Sequence, residues 1–261
     1  MFVTDVFSEK DANVIVLRIN CPQSLIESSR MVEPFDIEKK RNLLANVRIF
    51  DKGEIEIDAI KKSVKEIINE NKLPLILAER HVVSLEAVKV LKSKLVVFDA
   101  HADLKDLYAS GQYKPIDERT NYATWLRRAC EILGARNVCL IGVRSCDEDE
   151  FKFMNESGML YFTSEQVKAN MRKVKAKLKE FLKSANTYIS IDMDVFDPSI
   201  APAVENPEPN GLLYREFIQL IDPLKKIVGM DVVEIRPLLE NRVTEFLAVK
   251  VIFELLSLIF S

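Results

Sequence analysis

The sequence predicts an α/β protein: a three-layer α/β/α sandwich whose central sheet is mainly parallel, in a single domain over residues 1–261. Three observations predict it. Short apolar runs alternate with amphipathic or charged stretches along most of the chain. The apolar runs are continuous rather than alternating, as strands covered on both faces read. No linker, low-complexity segment or internal repeat divides the chain. Strands separated by helices then return to one sheet by right-handed crossovers, with helices on both faces.

Taken in order, residues 13–19, "NVIVLRI", form the first strand. Residues 20–54 are the least regular part, and no element is assigned there. A charged helix begins near Ile57 and includes 61–71. "LPLILAE" (73–79) is a strand, "SLEAVKVLKS" (84–93) a helix and "KLVVFDA" (94–100) a strand. "ATWLRRACEILG" (123–134) is a helix with Gly134 as its stop. "NVCLIGV" (137–143) is a strand, 147–158 a short helix and "MLYFT" (159–163) a strand. A long helix opens on Ser164 and runs to 184, followed by the strand "TYISIDMD" (187–194). The helix 213–222, the strand "KIVGMDVVEI" (226–235) and a C-terminal helix complete the chain.

Composition narrows the function. At 48% hydrophobic and 30% charged, the chain is globular rather than disordered. A net charge of −3 offers no basic field, so neither nucleic acid nor an anionic membrane is expected as a partner. Cys21, Cys130, Cys139 and Cys146 form no C-x-x-C pair, and no secretory signal is read ahead of them. They are expected to be free thiols, small buried hydrophobes in a reducing compartment, the cytoplasm. The most apolar stretch, "FLAVKVIFELLSLIF" near the C-terminus, is broken by Lys250 and Glu254 four residues apart on one helix face. It reads as a buried core helix, part of which a subunit interface could cover.

In an open parallel sheet, ligands bind beyond the carboxyl ends of the strands. Polar residues cluster at four such ends. His81 follows Arg80 after the strand 73–79. Asp99, His101 and Asp103 follow "LVVF". Asp192, Asp194 and Asp197 follow "YISI", and Glu234 follows "GMDVV". Residues two apart in extended chain point the same way, so Asp99 and His101, and likewise Asp192 and Asp194, can converge. So many carboxylates at one edge repel unless compensated, and two divalent cations would balance four aspartates. Carboxylate with some imidazole suits Mn²⁺ or a similar ion. Each cluster alone also has a plain reading: a solvated loop, a helix cap or a paired surface carboxylate. Both histidines of the chain nonetheless fall at strand ends beside acids.

These segments resemble the ureohydrolase family of arginases and agmatinases. "DAHADL" is similar to its D-A-H-x-D motif, "SIDMDVFDPSIAP" to its S-x-D-x-D-x-x-D-P-x-x-A-P motif and "GMDVVEIRP" to its D-x-x-E-x-N-P segment. "IGVRSCDEDEF" and "YATWLRRA" look closer to agmatinases. The resemblance covers the chain from about residue 74 onward. It implies an arginase-like fold and a binuclear manganese centre. One ion would be held by His81, Asp99, Asp103 and Asp192, and the other by Asp99, His101, Asp192 and Asp194, with Asp99 and Asp192 bridging. It further implies that Glu234 binds the substrate's guanidinium and that Asp197 shapes the turn at Pro198. The implied activity is metal-dependent hydrolysis of a guanidino or amidino C–N bond, such as that of agmatine, to an amine and urea. A small cationic substrate and a homo-oligomer, trimer or hexamer, are implied with it.

Several positions depart from the family pattern. Tyr122 stands where relatives place a proton-shuttling histidine, and tyrosine titrates near 10. Ala78, Glu79, Arg80 and Val82 surround His81 in place of the usual glycines, acid and serine. The loop after "APA" reads Val204, Glu205, Asn206, Pro207, which brings Glu205 forward as a specificity residue. Arg236 replaces an asparagine and is expected beside Glu234. Two alternatives therefore stand: a same-fold hydrolase of another linear amidine or amide, and a metal-binding member of little activity acting as a structural or regulatory subunit.

Overall fold

The apolar runs pair side by side. The structure is a computed structural model that describes residues 5–109, 118–183, 185–237 and 242–261. In chain order its elements are β1 (Val14–Ile19), α1 (Gln23–Ser28), β2 (Phe35–Asp36), β3 (Arg41–Asn42), β4 (Ile49–Glu54), α2 (Ile60–Asn69) and β5 (Leu73–Ala78). Then come α3 (Val83–Leu91), β6 (Lys94–Phe98), α4 (Trp125–Leu133), β7 (Val138–Val143), α5 (Glu148–Glu156), β8 (Leu160–Thr163) and α6 (Ser164–Ala169). The last are α7 (Met171–Leu182), β9 (Thr187–Asp192), α8 (Tyr214–Ile221), β10 (Ile227–Val233) and α9 (Val243–Ile259). Eight strands form one sheet in the order β4-β1-β5-β10-β9-β6-β7-β8. Its pairings are parallel.

The strand period of two splits the core between the two faces. Leu75 and Leu77 of β5 and Val96 and Phe98 of β6 pack with α7, α8 and α9. Ile76, Leu95 and Val97 point the other way, against α2, α3 and α4. These two cores make the sheet the middle layer of three, the architecture that the continuous apolar runs predict.

The structure departs from the sequence expectation in three places. The helix expected over 164–184 is two helices. Asn170 leaves the helical conformation and its side chain accepts the Lys173 amide, capping α7. A short amide side chain that bonds locally competes with the helical ladder. The expected end at residue 184 lies outside the described residues. The helix expected from Ile57 starts as a 3₁₀ turn, Ile57–Ala59, before α2. Residues 20–54 hold α1, the β2–β3 pair and β4, an edge strand parallel to β1. Its sequence, "IFDKGE", is half polar because its outer edge carries only a single bridge, from Ile49 to Asp5, so no apolar run announces it.

Helix α9 is mostly buried, and its polar stripe is satisfied within the chain. Lys250 Nζ donates to the Glu33 carbonyl at 2.7 Å. Glu254 pairs with Lys39 and accepts from Tyr214 Oη at 3.1 Å. No described helix is long and apolar enough to cross a membrane. The cysteines are free thiols, and burial pushes those of Cys21 and Cys130 up to about 12.

Candidate metal centre

Four neighbouring strands, β5, β10, β9 and β6, end at one edge of the sheet. His81 lies just past β5, Asp99 directly follows β6, Asp192 closes β9 and Glu234 directly follows β10. Adjacent strands about 4.8 Å apart bring these side chains together across the sheet. The segment after β6 turns back so that Asp103 also points inward. Asp103 adopts a left-handed φ of 52°, which costs a non-glycine residue about 1–3 kcal/mol. Its surroundings hold it there. Trp125 Nε1 donates to Asp103 Oδ2 at 2.9 Å, and the Leu126 amide donates to its carbonyl at 3.1 Å.

The structure gathers five of the six predicted ligands into two groups with Asp99 in common; Asp103 lies outside both, and Asp192, expected to bridge, belongs to one. His81, Asp99 and Asp192 form the first, and Asp99, His101 and Asp194 the second. His81 Nδ1 stands 3.1 Å from Asp99 Oδ2, 3.2 Å from Asp192 Oδ2 and 3.6 Å from Asp103 Oδ2. His101 Nδ1 lies 2.8 Å from Asp194 Oδ2 and 3.8 Å from Asp99 Oδ1. Asp192 belongs to the first group; its Oδ1 accepts the Asp194 amide at 2.9 Å. Asp194 Oδ1 accepts the Ala100 amide at 3.0 Å, which ties the end of β9 to the end of β6.

The donor set fits a cation. His81 Nδ1 and Asp99 Oδ2 are buried without a hydrogen-bond partner, although they face one another. Neighbouring ligands each about 2.1 Å from a shared octahedral ion stand about 3.0 Å apart, close to the spacing around His81 Nδ1. Electrostatics agree. Burial, then the nearby negative charges, raises Asp99 and Asp192 well above the usual carboxylate range; Asp103 is raised by burial and by Asp99. For Asp194, burial acts upward, but the His101 bond and charge and the Ala100 amide outweigh it and lower its pKa. Burial opposes the charge on His101, yet Asp194 and Asp99 raise it to about 10. Dications at these two groups would reverse that cost by stabilising the carboxylates as anions.

Around the groups lies a cleft of about 450 Å³, bordered by His101, Asp103, Asp192, Asp194, Tyr122, Glu205, Glu208 and Glu234. Glu234 Oε1 accepts the His81 amide at 2.9 Å, and burial raises its carboxyl to about 7. Arg236 lies two residues from Glu234 but does not pair with it. It bonds Glu79 and, at 2.9 Å, Glu205 Oε2, which also accepts Arg80 Nη1 at 2.7 Å. The physical reason is reach: Glu234 is turned inward by its left-handed backbone (φ 61°) toward His81. Asp197 holds a turn. Its Oδ1 accepts the Ser199 amide at 3.0 Å and its Oδ2 the Gly211 amide at 3.0 Å. A Cβ on Gly211 would meet the Asp197 nitrogen at 2.4 Å, so only glycine fits that contact. The Tyr122 hydroxyl is pushed far above its ordinary value by burial and by Tyr108.

Sequence reasoning missed Arg144, which follows β7 directly. Its guanidinium donates to the Asp194 carbonyl at 2.8 Å, Glu208 at 2.9 Å and Pro209 at 3.0 Å, fastening the ligand turn to the loop that walls the cleft. The strand-end rule that found His81 applied to Arg144 equally. Trp125, the one tryptophan of the chain, was also passed over; its ring lies tilted at 37° against that of His81, the centroids 4.3 Å apart. Glu208, whose Oε1 is 3.7 Å from His101 Nε2, carried no signal in a loop without periodicity.

Comparison with known proteins agrees with this geometry. The agmatinase of Pyrococcus horikoshii is 31% identical over 251 residues, covering 90% of this chain and 82% of that protein. The agmatinase of Bacillus subtilis is 28% identical, covering 90% and 83%. The crystal structure of the agmatine ureohydrolase of Thermoplasma volcanium superposes with a TM-score of 0.84 at 29% identity, over 98% of this chain and 92% of that one. The model of the arginase family matches residues 20–257, so with the sheet, the strand-end His and Asp side chains and these likenesses together, the chain belongs to the arginase family.

Proposed function

We propose that this chain is an agmatinase-like, metal-dependent hydrolase that cleaves a guanidino or amidino C–N bond, releasing an amine and urea from agmatine or a related compound. The observation that carries the reading is the pair of ligand groups joined by Asp99 at the floor of a cleft that Glu234 also borders. His81, Asp99, Asp103 and Asp192 would hold one ion and Asp99, His101, Asp192 and Asp194 the other. Two such ions supply Lewis acidity and lower the pKa of water towards neutrality. Manganese is our assignment, on the mixed carboxylate and imidazole donors and the lack of thiolate in either group.

The remaining residues bind and orient. Glu234, charged in the presence of cations, would accept charge-assisted hydrogen bonds from the planar guanidinium and set its carbon above the floor. Its anchor to the His81 amide fixes that carboxylate relative to the ligands. Glu205 borders the same cleft as the substrate-contacting residue on the opposite loop. Tyr122 keeps its proton through neutral pH and serves as a hydrogen-bond donor, not a proton store.

One observation favours a substrate other than agmatine itself. The Glu205 carboxylate is already shared by Arg80 and Arg236, so it offers less to a second ammonium group. A small cationic guanidino or amidino compound whose far end differs from agmatine's fits this wall. A single domain over 1–261 is part of the proposal, supported by one sheet that draws strands from residue 14 to residue 233. A cytoplasmic placement rests on the free thiols, and a homo-oligomer, trimer or hexamer, on the family resemblance.

The test is turnover. Protein loaded with Mn²⁺ is assayed for urea and amine from agmatine, arginine, guanidinobutyrate and a panel of linear amidines. Turnover of at least one is expected. Two bound ions with no turnover on the whole panel would instead support a structural or regulatory subunit.

A further inference from the structure

One wall of the cleft is built of charges that cancel one another. We propose that Glu79, Arg80, Glu205 and Arg236 act together as a specificity-determining group, selecting a guanidino or amidino substrate whose far end, away from the amidine carbon, is uncharged. The selection rests on the reading of this cleft as an amidine-hydrolysing site.

Three segments supply the group. Glu79 and Arg80 directly follow β5, Arg236 lies just beyond β10, and Glu205 belongs to the loop after β9. Strands β5 and β10 are neighbours in the sheet, so their ends emerge side by side. A bridge between Val204 and Ile235 lays the Glu205 loop beside the Arg236 segment, and the Arg236 amide donates to the Ala203 carbonyl at 2.9 Å. Arg80 Nη1 donates to Glu205 Oε2 at 2.7 Å. Arg236 Nη2 donates to that same oxygen at 2.9 Å, and its Nη1 bonds Glu79. The Arg80 guanidinium carbon also stands 5.4 Å from the centre of the Tyr122 ring, so the group reaches a second residue that borders the cleft.

Charge decides what this wall can hold. Two guanidiniums face two carboxylates, and the group is neutral as a whole. Its side chains are 27–29% exposed, so a further charge placed among them is neither fully solvated nor matched. An ammonium would be a third cation competing for Glu205, one oxygen of which already serves two guanidiniums. A carboxylate would be a third anion, and would gain Arg80 only by drawing it from Glu205. An uncharged end leaves both arginines with their partners. On the opposite wall the charges are engaged as well. Lys105 bonds Asp147 and stands 3.4 Å from Glu150, and Glu208 faces the ring of His101 within the field of Arg144. The one positive charge such a substrate brings is the amidine itself, which Glu234 would receive. A site that repels the wrong partner in this way gains specificity without a new attractive contact.

The experiment uses the full chain loaded with Mn²⁺ and two pairs of compounds, each pair differing by one charge and little in shape. Agmatine is paired with pentylguanidine, and 4-guanidinobutyrate with 4-guanidinobutyramide. Urea release gives kcat/KM, and calorimetry gives the binding affinity independently. The uncharged member of each pair should be favoured about tenfold or more, the scale of one unmatched charge at a partly exposed wall. Arg236→Met leaves a carboxylate in excess and should move the preference about tenfold toward agmatine. Glu205→Gln leaves a guanidinium in excess and should move it toward 4-guanidinobutyrate by a similar factor. Should either variant fail to fold, the other and the wild-type ranking decide the matter. A group with only a structural role would weaken all four compounds alike and keep their order in both variants, an outcome that overturns the proposal. A wild-type preference for the charged member of either pair overturns it too, while leaving the hydrolase reading standing. Binding in the expected order without urea release overturns the hydrolase reading and upholds the selection, and no binding of any of the four overturns both.

Discussion

Replacing Glu150 by alanine will unfasten the segment 99–104, which carries Asp99, His101 and Asp103, from helix α5. Glu150 is 4% exposed and does two jobs. Its Oε1 accepts the amide of the buried Leu104, next to Asp103, at 2.8 Å. Its Oε2 accepts the Asp147 amide at 3.0 Å and closes the capping box of α5, and Lys105 Nζ stands 3.4 Å away. Leaving the buried Leu104 amide unsatisfied costs about 1–3 kcal/mol. Losing half the capping box costs about 1 kcal/mol. The Lys105 pair, partly exposed and retained by Lys105 with Asp147, adds only about 0–1 kcal/mol. The sum is about 2–5 kcal/mol, a fall in Tm on the order of 5–15 °C for a chain of this size. Glu150→Gln, which keeps the length and one acceptor oxygen for the Leu104 amide, should lose less than Glu150→Ala. Thermal unfolding of the metal-stripped protein reads the difference, and Mn²⁺ affinity should fall alongside in Glu150→Ala. A Tm within 1–2 °C of wild type (roughly 0.5 kcal/mol), or equal losses for Ala and Gln, would refute the reasoning.

Other substitutions probe the site directly. Arg144→Lys should lower both kcat/KM, by an order of magnitude or more, and Tm, because an ammonium cannot span the carbonyls that the planar fork joins; wild-type kinetics would refute this. Tyr122→Phe should leave the pH profile of kcat in place, since its hydroxyl holds its proton well past neutrality; a loss of about 10²-fold or more, the scale of a missing general acid, would contradict that. The metal-stripped protein should lose stability as pH rises from about 4.5 through about 7. Glu234 has its folded pKa raised to about 7 by burial, as Asp99, Asp103 and Asp192 are raised. Stability linked to such groups is fully present below the unfolded pKa and lost through the folded one. The rise in Tm on adding Mn²⁺ should therefore grow with pH over that window; a constant or shrinking rise would argue against buried carboxylates as the ligands.

Much of the site was legible because strand ends are legible. "LVVF" and "YISI" are buried on both faces, so they appear as unbroken apolar runs and mark where Asp99 and Asp192 must emerge. What lies between strands was not. Ser190 and Asp231 open two of the matched motifs, but their contact appears only when β9 and β10 are placed in register. The partners of Arg236 depended on the backbone of Glu234, whose left-handed φ turns that carboxylate inward. Edge strand β4 hid because partial exposure lets it be polar. The break at Asn170 could have been read: an amide side chain before "MRK" is a helix cap as readily as a helix residue.

The central claim is that one cleft holds two ions with Asp99 between them. The direct measurement is the Mn²⁺ content of the purified chain by elemental analysis, after loading and gel filtration, beside that of Asp99→Asn. Two ions per wild-type chain and fewer than one per Asp99→Asn chain are the predicted values. A wild type that retains one ion or none, or an Asp99→Asn chain that still retains two, would contradict the account.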